Sequence, residues 1–265
     1  LDSPEDGWLR AAVLSSASHH APVILATLMQ EDNAPTAVAA DLIRTVVSSG
    51  LESIGRVLDA MGPARDAEAR PGHIALLAGV LDAPQMQGVL DNPAAHWKLA
   101  RIFEAARRIA SDPGAAEADR TTAARLLGRG GKGKLGEELR ILARLLEPSS
   151  PAALQETAVG VLARLGTWEA AAVLLDGLEH AAPAAHAAVL NALLSREEWT
   201  GTLLDALEAE SIGPADLDAA QRQRLLSHPQ GALRGRAEQL LAKLKPASRA
   251  EAIAKYRVVL SLEGD

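Results

Sequence analysis

The stretch GRGGKGKLGEE, Gly128 to Glu138, carries the residue types that nucleotide chemistry would use. Gly128, Gly133 and Lys134 match the two glycines and the lysine of a phosphate-binding loop, whose backbone N–H groups cradle phosphates while the lysine reaches the outer ones. The next position should be Ser or Thr to hold magnesium, and here it is Leu135. The loop should also follow a buried strand. Instead AEADRTTAARLLGRG precedes it, with helical periodicity and a terminal Gly of the kind that ends helices. Four glycines, Gly128, Gly130, Gly131 and Gly133, read as a flexible turn between two helices. The stretch is expected to be punctuation rather than a nucleotide site.

Other candidates are thinner. His19 and His20 are adjacent and so point to different faces of a helix, and His180 and His186 are separated by Pro183. No His-Glu-x-x-His run joins any of the seven histidines to a carboxylate one turn away. No Gly-x-Ser-x-Gly elbow presents a nucleophile. With no cysteine, thiol catalysis, Cys-ligated zinc and covalent c-type haem attachment are excluded within these residues. Glu137-Glu138, Glu197-Glu198, Asp216 and Asp218 fall at expected helix starts, where negative charge complements the helix dipole. Arg107-Arg108 and Arg129/Lys132/Lys134 are small basic clusters, expected to be solvated. No catalytic, cofactor-binding or metal-ligating residue is therefore assigned, and no cofactor is expected.

The elements that would position such residues are helical. Of 265 residues, 48% are hydrophobic but only 2% aromatic, so the apolar content is mostly Ala, Leu and Val. Leu and Ala favour helices, and no plausible strand pair stands out. The segments LARLGTWEAAAVLLDGLE (Leu162 to Glu179) and LLSREEWTGTLLDALE (Leu193 to Glu208) repeat one plan: a Leu-rich helix, a short turn, Trp, then LLDxLE. Trp168 and Trp199 are 31 residues apart and the two LLD runs 29 apart, with a weaker echo at Arg56 to Met61. Restart signals recur at Pro151, Pro183 and Gly213-Pro214. Between them lie helices with apolar stripes at i, i+3, i+4 spacing. Leu139, Leu142, Leu145 and Leu146 form one. Val159, Leu162 and Leu165 form another, Leu190, Leu193 and Leu194 a third, and Leu233, Ala237, Leu240, Leu241 and Leu244 a fourth. DNPAAHWKLARIFEAARRIASDP is expected to form one longer helix.

Paired helices repeating at about 30 to 47 residues imply a HEAT-like α-solenoid. The expected fold is all-α, a single domain over residues 1–265 of stacked antiparallel helix pairs. Trp168 and Trp199, at equivalent repeat positions, are both expected in the shared core.

The C-terminal part also resembles a known family. LLSREEWTGTLLDALEAESIGPADLDAAQRQRLLSHPQGALRGRAEQLL and SRAEAIAKYRVVLSLEGD, within Glu147 to Asp265, are similar to the helical region of large planctomycete-type proteins labelled membrane-bound dehydrogenases or haem-binding domain proteins. WLRAAVLSS near the start adds to the likeness. In that family a propeller resembling sugar dehydrogenases precedes the HEAT-like region, and a short cytochrome c domain follows it. The resemblance implies that the chain is excised from a longer, exported or periplasmic, redox-associated protein. It carries over no catalytic or haem-ligating residue, because the Cys-x-x-Cys-His motif would lie beyond Asp265.

The expected function is thus a non-catalytic scaffold, spacer or protein-docking domain. Its partners would be the dehydrogenase-like and cytochrome domains of the parent chain, or another protein. The competing expectation is a HEAT-like enzyme acting on nucleic acid, of the DNA glycosylase type. A net charge of -7 disfavours it, since phosphate binding needs clustered Lys and Arg. Ala11 to Gln30 carries no formal charge, but Ser15, Ser16, Ser18, His19, His20 and Pro22 interrupt it, so no membrane insertion is expected.

Overall fold

The computed structural model describes residues 16, 20–28, 41–42, 45, 69, 71–82, 93–178, 181 and 183–242. The echo at Arg56 to Met61, the WLRAAVLSS segment, Leu244 and the SRAEA to EGD ending lie outside the described residues. Among the described residues the protein is all-α, with eleven α-helices, two short 3-10 turns and no strand. The helices are α1 (Ala21–Leu28), α2 (Pro71–Leu81), α3 (Pro93–Ser111), α4 (Glu117–Leu126), α5 (Leu135–Leu145) and α6 (Ala152–Leu165). They continue as α7 (Trp168–Leu178), α8 (Pro183–Leu193), α9 (Glu197–Glu208), α10 (Ala219–Leu226) and α11 (Gly231–Ala242). The chain divides into two compact units, Leu1–Leu165 and Gly166–Asp265.

In the first unit α3 is the long helix anticipated from DNPAAHWKLARIFEAARRIASDP, 19 residues opened by Pro93. A proline at a helix start loses nothing, because the first N–H groups have no intrahelical acceptor. Leu99, Ile102, Phe103, Ala106 and Ala110 recur at three- and four-residue spacing, and all are buried. Ala123 and Ala124 of α4 have no exposed surface, so small side chains bring α3 and α4 close. The α5 stripe is buried throughout, as are Val159 and Leu162 of α6. Each fully buried Leu contributes roughly 1.5 to 3 kcal/mol relative to exposure. α2 packs on α3 and α4, α3 on α4 and α5, and α6 on both α4 and α5. Each of these helices therefore touches the next in sequence or the next but one.

The second unit follows the same order. α7 packs on α8 and α9, α8 on α9, and α11 on α9 and α10. Leu190, Leu193, Leu194, Leu233, Ala237 and Leu240 are buried as their spacing anticipates. Gln221 of α10 donates to the carbonyl of Ala187 at 3.4 Å and to Oδ1 of Asn191 at 3.3 Å, both on α8. The same Gln221 and Asp218 form a reciprocal cap at the start of α10: Asp218 Oδ1 accepts the Gln221 N–H at 2.7 Å, and Gln221 Oε1 accepts the Asp218 N–H at 3.0 Å. The end of α9 is closed by Ser211 N–H to Ala206 O and Glu210 N–H to Leu207 O. That pattern puts Glu210 at φ 57°, a left-handed position where glycine is usual.

The two tryptophans do not share a core. Trp199 is 3% exposed, whereas Trp168 is 76% exposed, so the expectation that both are buried fails for Trp168. The reason is register. Trp168 lies six residues before Leu174 of its LLD run, and Trp199 four before Leu203 of its own. Two residues turn a helix by about 200°, which carries one indole to nearly the opposite side. With the LLD runs aligned, the counterpart of Trp199 is Ala170, which is fully buried, and that of Trp168 is Glu197, which is exposed.

Candidate functional site

The glycine-rich segment is a turn between two helices. α4 ends at Leu126, a 3-10 turn spans Lys132–Lys134, and α5 begins at Leu135. The turn is tight rather than slack. Gly128 adopts φ +79°, and a Cβ there would come within 2.5 Å of Leu165 Cδ2. A Cβ on Gly130 would lie 3.0 Å from Phe103 Cγ. Glycine is needed at Gly128 for its backbone conformation as well as for space.

Three N–H groups of the turn face protein acceptors. Gly128 N–H donates to Glu138 Oε2 at 2.8 Å, Arg129 N–H to Leu126 O at 3.1 Å, and Lys134 N–H to Gly131 O at 3.3 Å. The Lys134 ammonium pairs with Glu137 at 3.3 Å. Glu138 is 1% exposed, and its other oxygen accepts from Arg107 Nη1 at 3.0 Å. One buried carboxylate thus joins α3, the glycine turn and α5. Arg107 is accordingly mostly buried and paired, not a solvated member of a basic cluster. Glu137 and Glu138 both sit in the first turn of α5 as anticipated, but only Glu137 stays at the surface.

A second polar cluster closes the end of α4. Arg125 and Arg129 both bind the carboxylate of Asp82. Arg164 Nη2 donates to the carbonyls of Leu127 at 2.7 Å and Arg125 at 3.1 Å, groups left over at the helix terminus. Burial, followed by the charge of Arg129, pushes the Arg164 guanidinium down to about 10, with Asp82 opposing and Arg125 adding a little. Arg164 keeps exposed surface that tempers this effect, and it stays cationic at neutral pH.

Alongside these lies a feature with the outline of a binding site that sequence reasoning did not find. A groove of about 560 Å³ is lined by α3 and by the start and outer face of α5. Among the described residues five cations, Arg101, Arg107, Arg108, Lys134 and Arg144, line it against two carboxylates, Glu104 and Glu137. Buried Ala105 and Ile141 supply an apolar floor. A second hollow of about 330 Å³ shares Ser111, Ile141 and Arg144 with the first, so the trough continues past the end of α3. The signal was present in part: Arg101, Ala105 and Arg108, and likewise Glu137, Ile141 and Arg144, recur at three- and four-residue spacing and so share a helix face.

The remaining candidates stay apart. His186 is half-buried on α8, and His228 accepts the Gln230 N–H through Nδ1 at 3.2 Å; His19 and His180 lie outside the described residues. Among the described residues no three His, Cys, Asp or Glu side chains are grouped to hold a metal ion, and no helix is long and apolar enough to cross a membrane. Trp8 lies outside the described residues, as does the side chain of Trp97. Comparison of the chain with family models, with curated proteins and with solved structures gives no match.

Proposed function

We propose that this chain is a non-catalytic helical-repeat scaffold of the HEAT-like α-solenoid kind, serving as a docking or spacing element for other protein domains. The observation that carries the reading is the packing order, in which each helix rests on its successor or on the next but one within each unit. Paired helices that bury their apolar faces only against near neighbours are the repeat logic of such proteins.

The buried polar groups support a structural role. Glu138 ties helices to a turn, and Gln155 donates to the carbonyls of Glu147 and Ser150, both at 3.0 Å. Thr200 donates to Arg196 O at 2.9 Å, and Gln221 links α10 to α8. These are groups that hold elements in place. By the sequence resemblance, the docked domains are a propeller-like dehydrogenase and a cytochrome c domain of an exported parent protein. Fold alone does not fix function, so the reading rests on an interaction test.

The test is crosslinking and mass spectrometry on the protein produced from its complete reading frame. Crosslinks from residues 1–265 into flanking domains or a stable co-purifying subunit are expected. Crosslinks confined to the helical region, or release of damaged bases from a DNA duplex by the chain, would overturn the proposal.

A further inference from the structure

We infer that the α3–α5 groove is the docking surface of this scaffold and takes an extended, carboxylate-rich peptide segment. The inference rests on the scaffold reading and adds the place and chemistry of the contact. The chain as a whole is acidic, at -7, yet among the described residues this groove is lined by five cations and two carboxylates. Setting buried Glu138 against Arg107 still leaves a surplus of positive charge at the surface. A basic trough on an acidic protein is a local field, and it draws in an anion that the rest of the surface repels.

Two cations are poised for a ligand. Among the described residues, neither Arg101 nor Arg144 has a carboxylate partner, and both are exposed. Guanidinium forks match carboxylates in two-point geometry, more so than an ammonium does. Lys134 is held by Glu137 at 3.3 Å in an exposed pair, a weak contact that an incoming carboxylate can replace.

Shape selects the class of anion. The groove continues into the second hollow through Ser111, Ile141 and Arg144, so it suits an elongated segment better than a compact ion. Its floor of Ala105 and Ile141 accepts aliphatic side-chain stems. Single-stranded nucleic acid would want aromatic faces on which to stack bases, and none of the described residues lining either hollow is aromatic. An acidic peptide meets both the charge and the shape.

The experiment is fluorescence anisotropy of a fluorescein-labelled, glutamate-rich peptide titrated with the whole chain at low and moderate salt. A single-stranded oligonucleotide of equal charge runs alongside. Saturable peptide binding that weakens with salt is expected. Arg101→Glu and Arg144→Glu should each weaken it by roughly tenfold, as loss of a charge-assisted contact does, while Arg224→Glu on α10 leaves it unchanged. Arg101→Gln and Arg144→Gln guard against misfolding, and circular dichroism checks each variant. The inference is overturned if wild type does not bind the peptide, if the oligonucleotide binds as tightly, or if the Arg101→Glu/Arg144→Glu protein binds like wild type. Crosslinks to flanking domains that persist without peptide binding would sink the groove and leave the scaffold; their absence would sink the scaffold itself.

Discussion

Trp168 and Trp199 show how much two residues of register decide. Trp199 stands in the third position of α9, buried, with the Arg196 guanidinium 5.3 Å from its ring centroid. That Arg196 also lies against Gly166, whose φ of +67° is the left-handed conformation that favours glycine. Trp168 opens α7 and stays outside. Removing the Trp199 indole leaves a cavity, so Trp199→Ala should cost about 3 to 5 kcal/mol. Trp168→Ala removes no buried contact and should change stability by less than about 0.5 kcal/mol. Thermal melts of the two variants check this, and equal shifts would contradict the assigned burial. The difference was legible in the sequence: 31 residues between the tryptophans against 29 between the LLD runs already implies opposite faces. Likeness of neighbourhood concealed it, because a repeat aligned on Trp misplaces the helix by about half a turn.

At the scale of elements, Glu138 fixes how three segments meet. Its carboxylate holds Arg107 on α3 and the Gly128 N–H of the turn, while its own backbone belongs to α5. Glu138→Ala should cost about 3 to 5 kcal/mol, because it leaves a mostly buried guanidinium without a counter-charge. Glu138→Gln keeps an acceptor for the Gly128 N–H and should cost less. Replacing both partners, Glu138→Leu with Arg107→Leu, should recover much of the loss, since an apolar pair has no charge to strand. Urea midpoints of the variants order them, and a Glu138→Ala protein as stable as wild type would refute the role. Helix spans and buried stripes were readable here, since Leu142, Leu162 and Leu193 follow the helical period and are all fully buried. The joint was not. Periodicity tells which residues share a face, but not which face meets which helix. Glu137 and Glu138 therefore look alike until α3 is placed beside them, and the Arg101 to Arg144 groove is invisible for the same reason.

For the whole molecule, the packing order makes a statement about cooperativity. Helices whose main contacts are with near neighbours pass disturbance along the chain in steps, with coupling that weakens at each interface. A structure stabilised by one undivided core would loosen everywhere at once. Native-state hydrogen exchange on Trp199→Ala separates the two. The change originates in α9, so amides of α7, α8 and α11, which pack on it, should lose the most protection. α10, which packs on α11, should lose less. Helices α2 to α6 belong to the compact unit ending at Leu165 and should retain protection close to wild type. A uniform loss of protection from α2 to α11 would show that the chain unfolds as one body, and the helical-repeat reading would have to be abandoned.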